Sequence, residues 1–254
     1  MNLFYREYGT GDKYLIILHG LFGMSDNWVG LAKKFAETHH IIIPDLRNHG
    51  LSPHSSDFSI SLILEDLDTL FLKLGIVNPV LLGHSLGGRI AMNYCLENEG
   101  KVPKLIVADM SLKAGKLRPE HEAIMGAINS IELSKMHSIS DIETELFKTI
   151  SNTRRVQFVL KNIKRIETGY GWKLNFKSLI NHIPDIMPEL KSNNRYESPS
   201  LFIRGGASDY ILKEDEAAIF KHFPNANIET IEGASHWLHA DNPQKFVKLV
   251  TDFL

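Results

Sequence analysis

The 254-residue chain reads as an α/β protein built on a doubly wound, mostly parallel sheet flanked by helices. Short, unbroken apolar runs at residues 15–18 and 41–43 suit strands buried on both faces of such a sheet. Between runs of this kind, apolar residues recur at spacings of three and four, as helices packed on a sheet require. Apolar residues make up 43% and charged residues 23%, so the chain can bury one substantial core.

Taken in order, residues 3–8 form an edge strand ended by Gly9 and Gly11, and Tyr14–Leu18 is the first buried strand. The run 41–43 stops at Pro44, and the pattern returns at residues 80–82, 105–107, 200–203 and 227–231. Leu64, Leu67, Phe71 and Leu74 mark a helix for which Ser61 is the expected N-cap. The last helix starts at Asn242 as N-cap with Pro243 at its first position, and buries Phe246, Leu249, Val250 and Phe253. From Lys113 to Tyr196 the rhythm changes to helical patterns alone, with no strand expected. That stretch reads as a helical cap, residues 113–196, inserted over the carboxyl edge of a core formed by 1–112 and 197–254.

Composition excludes several classes. A net charge of −2 gives no footprint for nucleic acid or an anionic membrane. The single cysteine, Cys95, cannot form an internal disulfide and is expected to be plain packing. No apolar run is long enough to span a bilayer. Arg6 and Glu7 interrupt the apolar stretch that a secretory signal would need. A soluble, cytoplasmic protein is expected.

The most informative segment is Gly83-His84-Ser85-Leu86-Gly87, with a strand before it and a helix at 86–96 after it. Turning strand into helix so abruptly strains the serine backbone and exposes its hydroxyl at a helix N-terminus. There the helix dipole favours developing negative charge. Ser85 is therefore the candidate nucleophile, against the plainer reading of a glycine-rich turn. A serine hydroxyl needs a base. His236 lies in the loop between the last strand and the last helix, at the same sheet edge, and follows the serine in chain order. His239 has no partners at metal-ligand spacing, so no metal site is read. Packed or solvated roles are expected for His39, His40, His54, His121, His137, His182 and His222.

Two aspartates compete to orient the imidazole. Asp109 follows the strand 105–107 and Asp209 follows the strand 200–203; each could equally cap a turn. The residues alone leave the two open. His19-Gly20-Leu21-Phe22-Gly23 can fold back so that the Leu21 N–H, with that of Leu86, forms an oxyanion hole.

Together with Asp45-Leu46-Arg47-Asn48-His49-Gly50-Leu51-Ser52-Pro53 and His236-Trp237-Leu238-His239-Ala240, these motifs resemble the α/β-hydrolase superfamily along essentially the whole chain. Within it they resemble YbfF-type esterases of bacteria and their mitochondrial relatives. The resemblance implies the α/β-hydrolase fold and a serine esterase for short acyl esters, with acyl-CoA thioesters as further substrates and no cofactor. It also favours Asp109 as the acid, because that group takes it from the strand following the nucleophile helix. Arg47 is expected to brace neighbouring loops, with Asn48 or His49 as a less favoured substrate contact. Met125, Met136, Phe147, Phe158 and Trp172 are candidate acyl-pocket residues. Two rivals stand beside this reading. Gly87-Gly88-Arg89 resembles the elbow of a menaquinone-pathway lyase, whose arginine helps hold a carboxylate-rich substrate. Such a lyase would place further arginines in its pocket, for which Arg154, Arg155 and Arg165 are the candidates. The other rival is a ligand receptor that keeps the fold and hydrolyses slowly.

Overall fold

The computed structural model describes residues 1–115 and 117–254. Strands β1 (Tyr5–Tyr8), β2 (Tyr14–Leu18) and β3 (His40–Pro44) open the chain, with helix α1 (Val29–Phe35) between β2 and β3. Helix α2 (Ile60–Leu74), β4 (Val80–His84), α3 (Leu86–Glu97) and β5 (Leu105–Ala108) follow. Next come α4 (Pro119–Ser130), α5 (Ile139–Phe147), α6 (Thr153–Leu160), strands β6 (Ile163–Ile166) and β7 (Gly169–Trp172), then α7 (Phe176–Asn181) and α8 (Ile183–Ile186). The chain closes with β8 (Ser200–Gly205), α9 (Glu216–His222), β9 (Ala226–Ile231), α10 (Leu238–Asp241) and α11 (Pro243–Phe253).

A seven-stranded sheet in the order β1-β3-β2-β4-β5-β8-β9 forms the centre. Only β1 runs antiparallel to its neighbour, pairing Tyr5 with Pro44. The interior parallel strands β2, β3, β4, β5 and β8 are buried on both faces, which is why they read as apolar runs, whereas the edge strand β9 is mostly half-exposed. Leu15 and Ile17 of β2 pack with Trp28, Phe35, Phe246 and Val250, beneath α1 and α11. Ile16 and Leu18 point the other way, into a cluster with Leu67 of α2 and Ile90 of α3. Cys95 is fully buried in that second cluster.

Three expectations need correction. The first strand begins at Tyr5 rather than at residue 3. The α2 N-cap is Ser59, not Ser61: Ser59 holds extended backbone and its hydroxyl accepts the Leu62 N–H, while Ser61 lies inside the helix. The stretch between β5 and β8 is not helical throughout, because β6 and β7 pair as an antiparallel hairpin. Lys164, Arg165 and Ile166 are all exposed, so β6 lacks the apolar alternation by which a strand is recognised. The last helix matches its expected start, with the Asn242 side chain accepting the Lys245 N–H.

Parallel strands put their following loops at one edge. At that edge lie the loops after β2 (19–24), β3 (45–53), β4 (Ser85), β5 (Asp109), β8 (206–210) and β9 (232–237). No described helix is long and apolar enough to cross a membrane.

Candidate active site

Ser85 sits where β4 becomes α3, with φ 53° and ψ −119°, in a region that side chains avoid. Close packing makes the flanking glycines necessary. A Cβ on Gly83 would overlap the Gly87 carbonyl, and one on Gly87 would overlap the Leu18 carbonyl. The Ser85 N–H donates to the Ala108 carbonyl at 3.0 Å, fixing the elbow to β5.

His236 and Asp109 meet in the loops after β9 and β5. Nδ1 of His236 lies 2.7 Å from Oδ2 of Asp109, which places the proton on Nδ1 and leaves Nε2 as the acceptor. Asp109 is completely buried, and its carboxylate also accepts the Ser208 hydroxyl and, at 3.0 Å, the Gly205 N–H. Burial pushes its pKa up to about 6, and the Ser208 and Gly205 bonds oppose that rise. Burial also holds the His236 imidazole below its ordinary value, so it rests neutral. Asp209 is elsewhere: its exposed carboxylate pairs with Arg118 at 2.5 Å. The structure therefore brings His236 to Asp109 and not to Asp209.

Ser85 and His236 line one small cavity together with Gly20 and Leu21. A Cβ on Gly20 would stand 3.2 Å from the Ser85 Cβ, so the loop after β2 passes directly over the elbow. Two buried histidines shape that loop. His19 accepts the Leu46 N–H on Nε2 at 3.0 Å and contacts the Gly20 carbonyl through Nδ1 at 2.9 Å. His49 accepts the Phe22 N–H at 3.2 Å and holds the Arg47 carbonyl at 2.9 Å. Burial keeps both below the ordinary imidazole value. His49 thus supports the loop from below, and Asn48 bonds Ser178 at 3.1 Å; both are fully buried. Arg47 braces the loops as expected, with two bonds to Asp66 at 2.7 and 2.9 Å and one to the Leu62 carbonyl.

Sequence reasoning missed several participants. Ser208 stands in the loop read for its aspartate. Tyr210 stacks on the His236 ring at 3.6 Å, and the Arg118 guanidinium lies 5.0 Å from the Tyr210 ring centroid. His84, the variable residue of the elbow, reaches the His236 carbonyl with Nε2 at 2.8 Å. His121, expected to be packed or solvated, lines the cavity with Glu120. None of these has a spacing signature; each depends on loops meeting at the sheet edge.

Of the candidate pocket residues, Phe158 lines the cavity, whereas Phe147 is exposed. Met125, Met136 and Trp172 pack against the core cluster. Arg89 is buried, and its guanidinium is engaged by the carbonyls of Pro188 at 2.5 Å and Lys113 at 2.6 Å. That arrangement removes it from the role the lyase reading gives it. Arg154 pairs with Asp241, and Arg165 lies over Tyr170. Among the described residues no group of three or more His, Cys, Asp or Glu side chains could hold a metal. His239 instead stacks on Trp28 at 4.6 Å.

A strained serine elbow on a mostly parallel sheet, sharing a cavity with a histidine from the last strand's loop, defines an α/β hydrolase, and the chain belongs to that family. The family model for the alpha/beta hydrolase fold matches residues 13–125. Its relatives place it among the serine hydrolases of carboxylesterase type. It is 35% identical to the sn-1-specific diacylglycerol lipase ABHD11 of Danio rerio, over 100% of this chain and 83% of that protein. It is 30% identical to esterase YbfF of Escherichia coli, over 94% and 92% of the two chains. The solved structure of a marine microorganism esterase superposes with a TM-score of 0.96 at 38% identity, covering 100% of this chain and 99% of that one.

Proposed function

We propose that the protein hydrolyses carboxylic esters by two-step acyl transfer, with Ser85 as nucleophile, His236 as general base and acid, and Asp109 as the residue that orients the imidazole. The observation that carries this is the 2.7 Å bond from His236 to a buried Asp109, in a cavity His236 shares with Ser85. His236 takes the Ser85 proton as the hydroxyl attacks the ester carbonyl. It then protonates the departing alcohol or thiol, and finally activates the water that releases the acid. Developing oxyanion charge is met by the N–H groups of Leu21 and Leu86. Two neighbouring N–H groups of the loop are spent internally, Phe22 on His49 and Gly23 on the Gly20 carbonyl, whereas that of Leu21 is left for the substrate. Losing one such donor costs on the order of 3 kcal/mol of transition-state stabilisation.

The cavity at Ser85 has a volume of about 40 Å³, room for a few waters and thus for a short acyl group. Short acyl esters are the proposed substrates, with acyl-CoA thioesters as a second set. Residues 113–196 act as a cap on the core of 1–112 and 197–254, contributing His121, Ile124 and Phe158 to the cavity wall. Initial rates on p-nitrophenyl esters from acetate to palmitate, with acyl-CoA thioesters alongside, test the reading. Rates falling as the acyl chain lengthens support it; turnover of palmitate faster than acetate overturns the short-acyl assignment.

A further inference from the structure

Beside the small cavity lies a far larger groove of about 800 Å³, within the size range of pockets that hold whole small molecules. Its wall is largely apolar: Leu31, Phe158, Trp237, Ala240, Pro243 and Val247 line it. Asn27, Phe158, Trp237 and His239 border both spaces. Phe158 and Trp237 meet edge to face at 4.5 Å between them, so a pair of side chains divides one continuous depression. At the rim Lys34 stands on α1, while Arg154 is held by Asp241 at 2.7 Å and Lys161 by Asp26 at 3.2 Å.

The direction in which the groove leaves the site identifies what it holds. Trp237 follows His236 in its own loop, and His239 and Ala240 stand on α10 directly after it, so the groove opens on the imidazole side of Ser85. In the reaction proposed above, on which this inference rests, the imidazole must reach the leaving oxygen to protonate it. The leaving-group arm therefore lies on that side, and the acyl arm is left with the small cavity. We infer that the groove is a binding site for a long aliphatic alcohol arm, making the preferred substrate a short-acyl ester of a lipid-like alcohol. The apolar wall, with Arg154 and Lys161 each already paired to an aspartate at the rim, fits an uncharged chain.

Gly30 supplies a way to close the groove. It lies on α1 in the groove wall, and a Cβ built there meets nothing within 4 Å. The test compares two ester series, alkyl acetates from ethyl to decyl and p-nitrophenyl esters from acetate to decanoate, in the parent and in Gly30→Trp. Expected is a rise in kcat/KM along the alkyl acetates of up to about fourfold per methylene, the ratio that burying one CH₂ corresponds to. Gly30→Trp should reduce the decyl-to-ethyl acetate ratio by at least about tenfold, while its melting temperature stays near the parent's and so separates a filled groove from a lost fold. A flat alkyl acetate series overturns the inference. So does a chain-length gain confined to the acyl series, or a ratio that Gly30→Trp leaves intact. Failure to hydrolyse any ester in either series would instead contradict the esterase reading itself.

Discussion

At the scale of single residues, the account depends on how Asp109 and His236 share one proton system. Asp109→Asn should lower kcat by about 10,000-fold, because an amide cannot hold the Nδ1–H tautomer. Asp209→Asn breaks only an exposed pair with Arg118 and should change kcat by less than about threefold, since such pairs contribute ~1 kcal/mol or less. Steady-state kinetics of the two variants check both statements. The proposed route needs His236 neutral and Asp109 ionised, so the rate should fall on the acid side. Burial lowers the first group and raises the second to about 6, placing the limb below the ordinary imidazole value as a property of the pair. Ser208 donates to Asp109 and lowers its pKa, so Ser208→Ala should move the acid limb to higher pH, read from kcat/KM against pH. The choice between Asp109 and Asp209 was open in the sequence because both follow buried strands at the same edge. What separates them is where each loop turns. Asp109 takes φ 50° and points into the protein, whereas Asp209 reaches outward to Arg118.

At the scale of elements, the parallel strands were legible because burial on both faces leaves an unbroken apolar run, as in Tyr14–Leu18. The serine elbow was equally legible, since close packing against Leu18 forbids a side chain at Gly87. The β6–β7 hairpin was not. Its strands are short, mostly exposed or half-buried, and joined by a two-residue turn at Glu167 and Thr168 that enters Gly169 at φ 129°, so no burial pattern marks them. The helix cap failed for a different reason: Ser59 and Ser61 are chemically alike, and only backbone geometry selects the first. Arg89 shows an element-level role that a motif reading misassigns. From α3 it bonds the carbonyls of Lys113 and Pro188, near the two ends of the segment between β5 and β8. Arg89→Met should destabilise the protein by roughly 1–3 kcal/mol in urea unfolding, because it removes two charge-assisted bonds from a buried guanidinium to partly buried carbonyls.

At the scale of the whole molecule, the sheet edge is built from neutral buried histidines. His19, His49, His84, His236 and His239 are all held below the ordinary imidazole value, chiefly by burial. A histidine lowered in the folded state contributes stability that is present above about pH 6.5 and lost as pH falls through that value, because the unfolded chain takes up protons first. Each should remove up to about 1.4 kcal/mol per pH unit below 6.5. Asp109, raised to about 6, acts in the opposite sense and offsets part of that loss. Urea unfolding at pH 7.5 and 5.5 should therefore show a fall of several kcal/mol; equal stabilities would mean that these imidazoles are charged or solvated in the folded protein. The most direct test of the central claim is to label the protein with a fluorophosphonate, locate the adduct by peptide mass spectrometry, and measure p-nitrophenyl acetate turnover in parallel with Ser85→Ala. The account predicts an adduct on Ser85 alone and a loss of about 10⁵- to 10⁶-fold in kcat for the variant. An adduct on another residue, or turnover that survives Ser85→Ala, would contradict it.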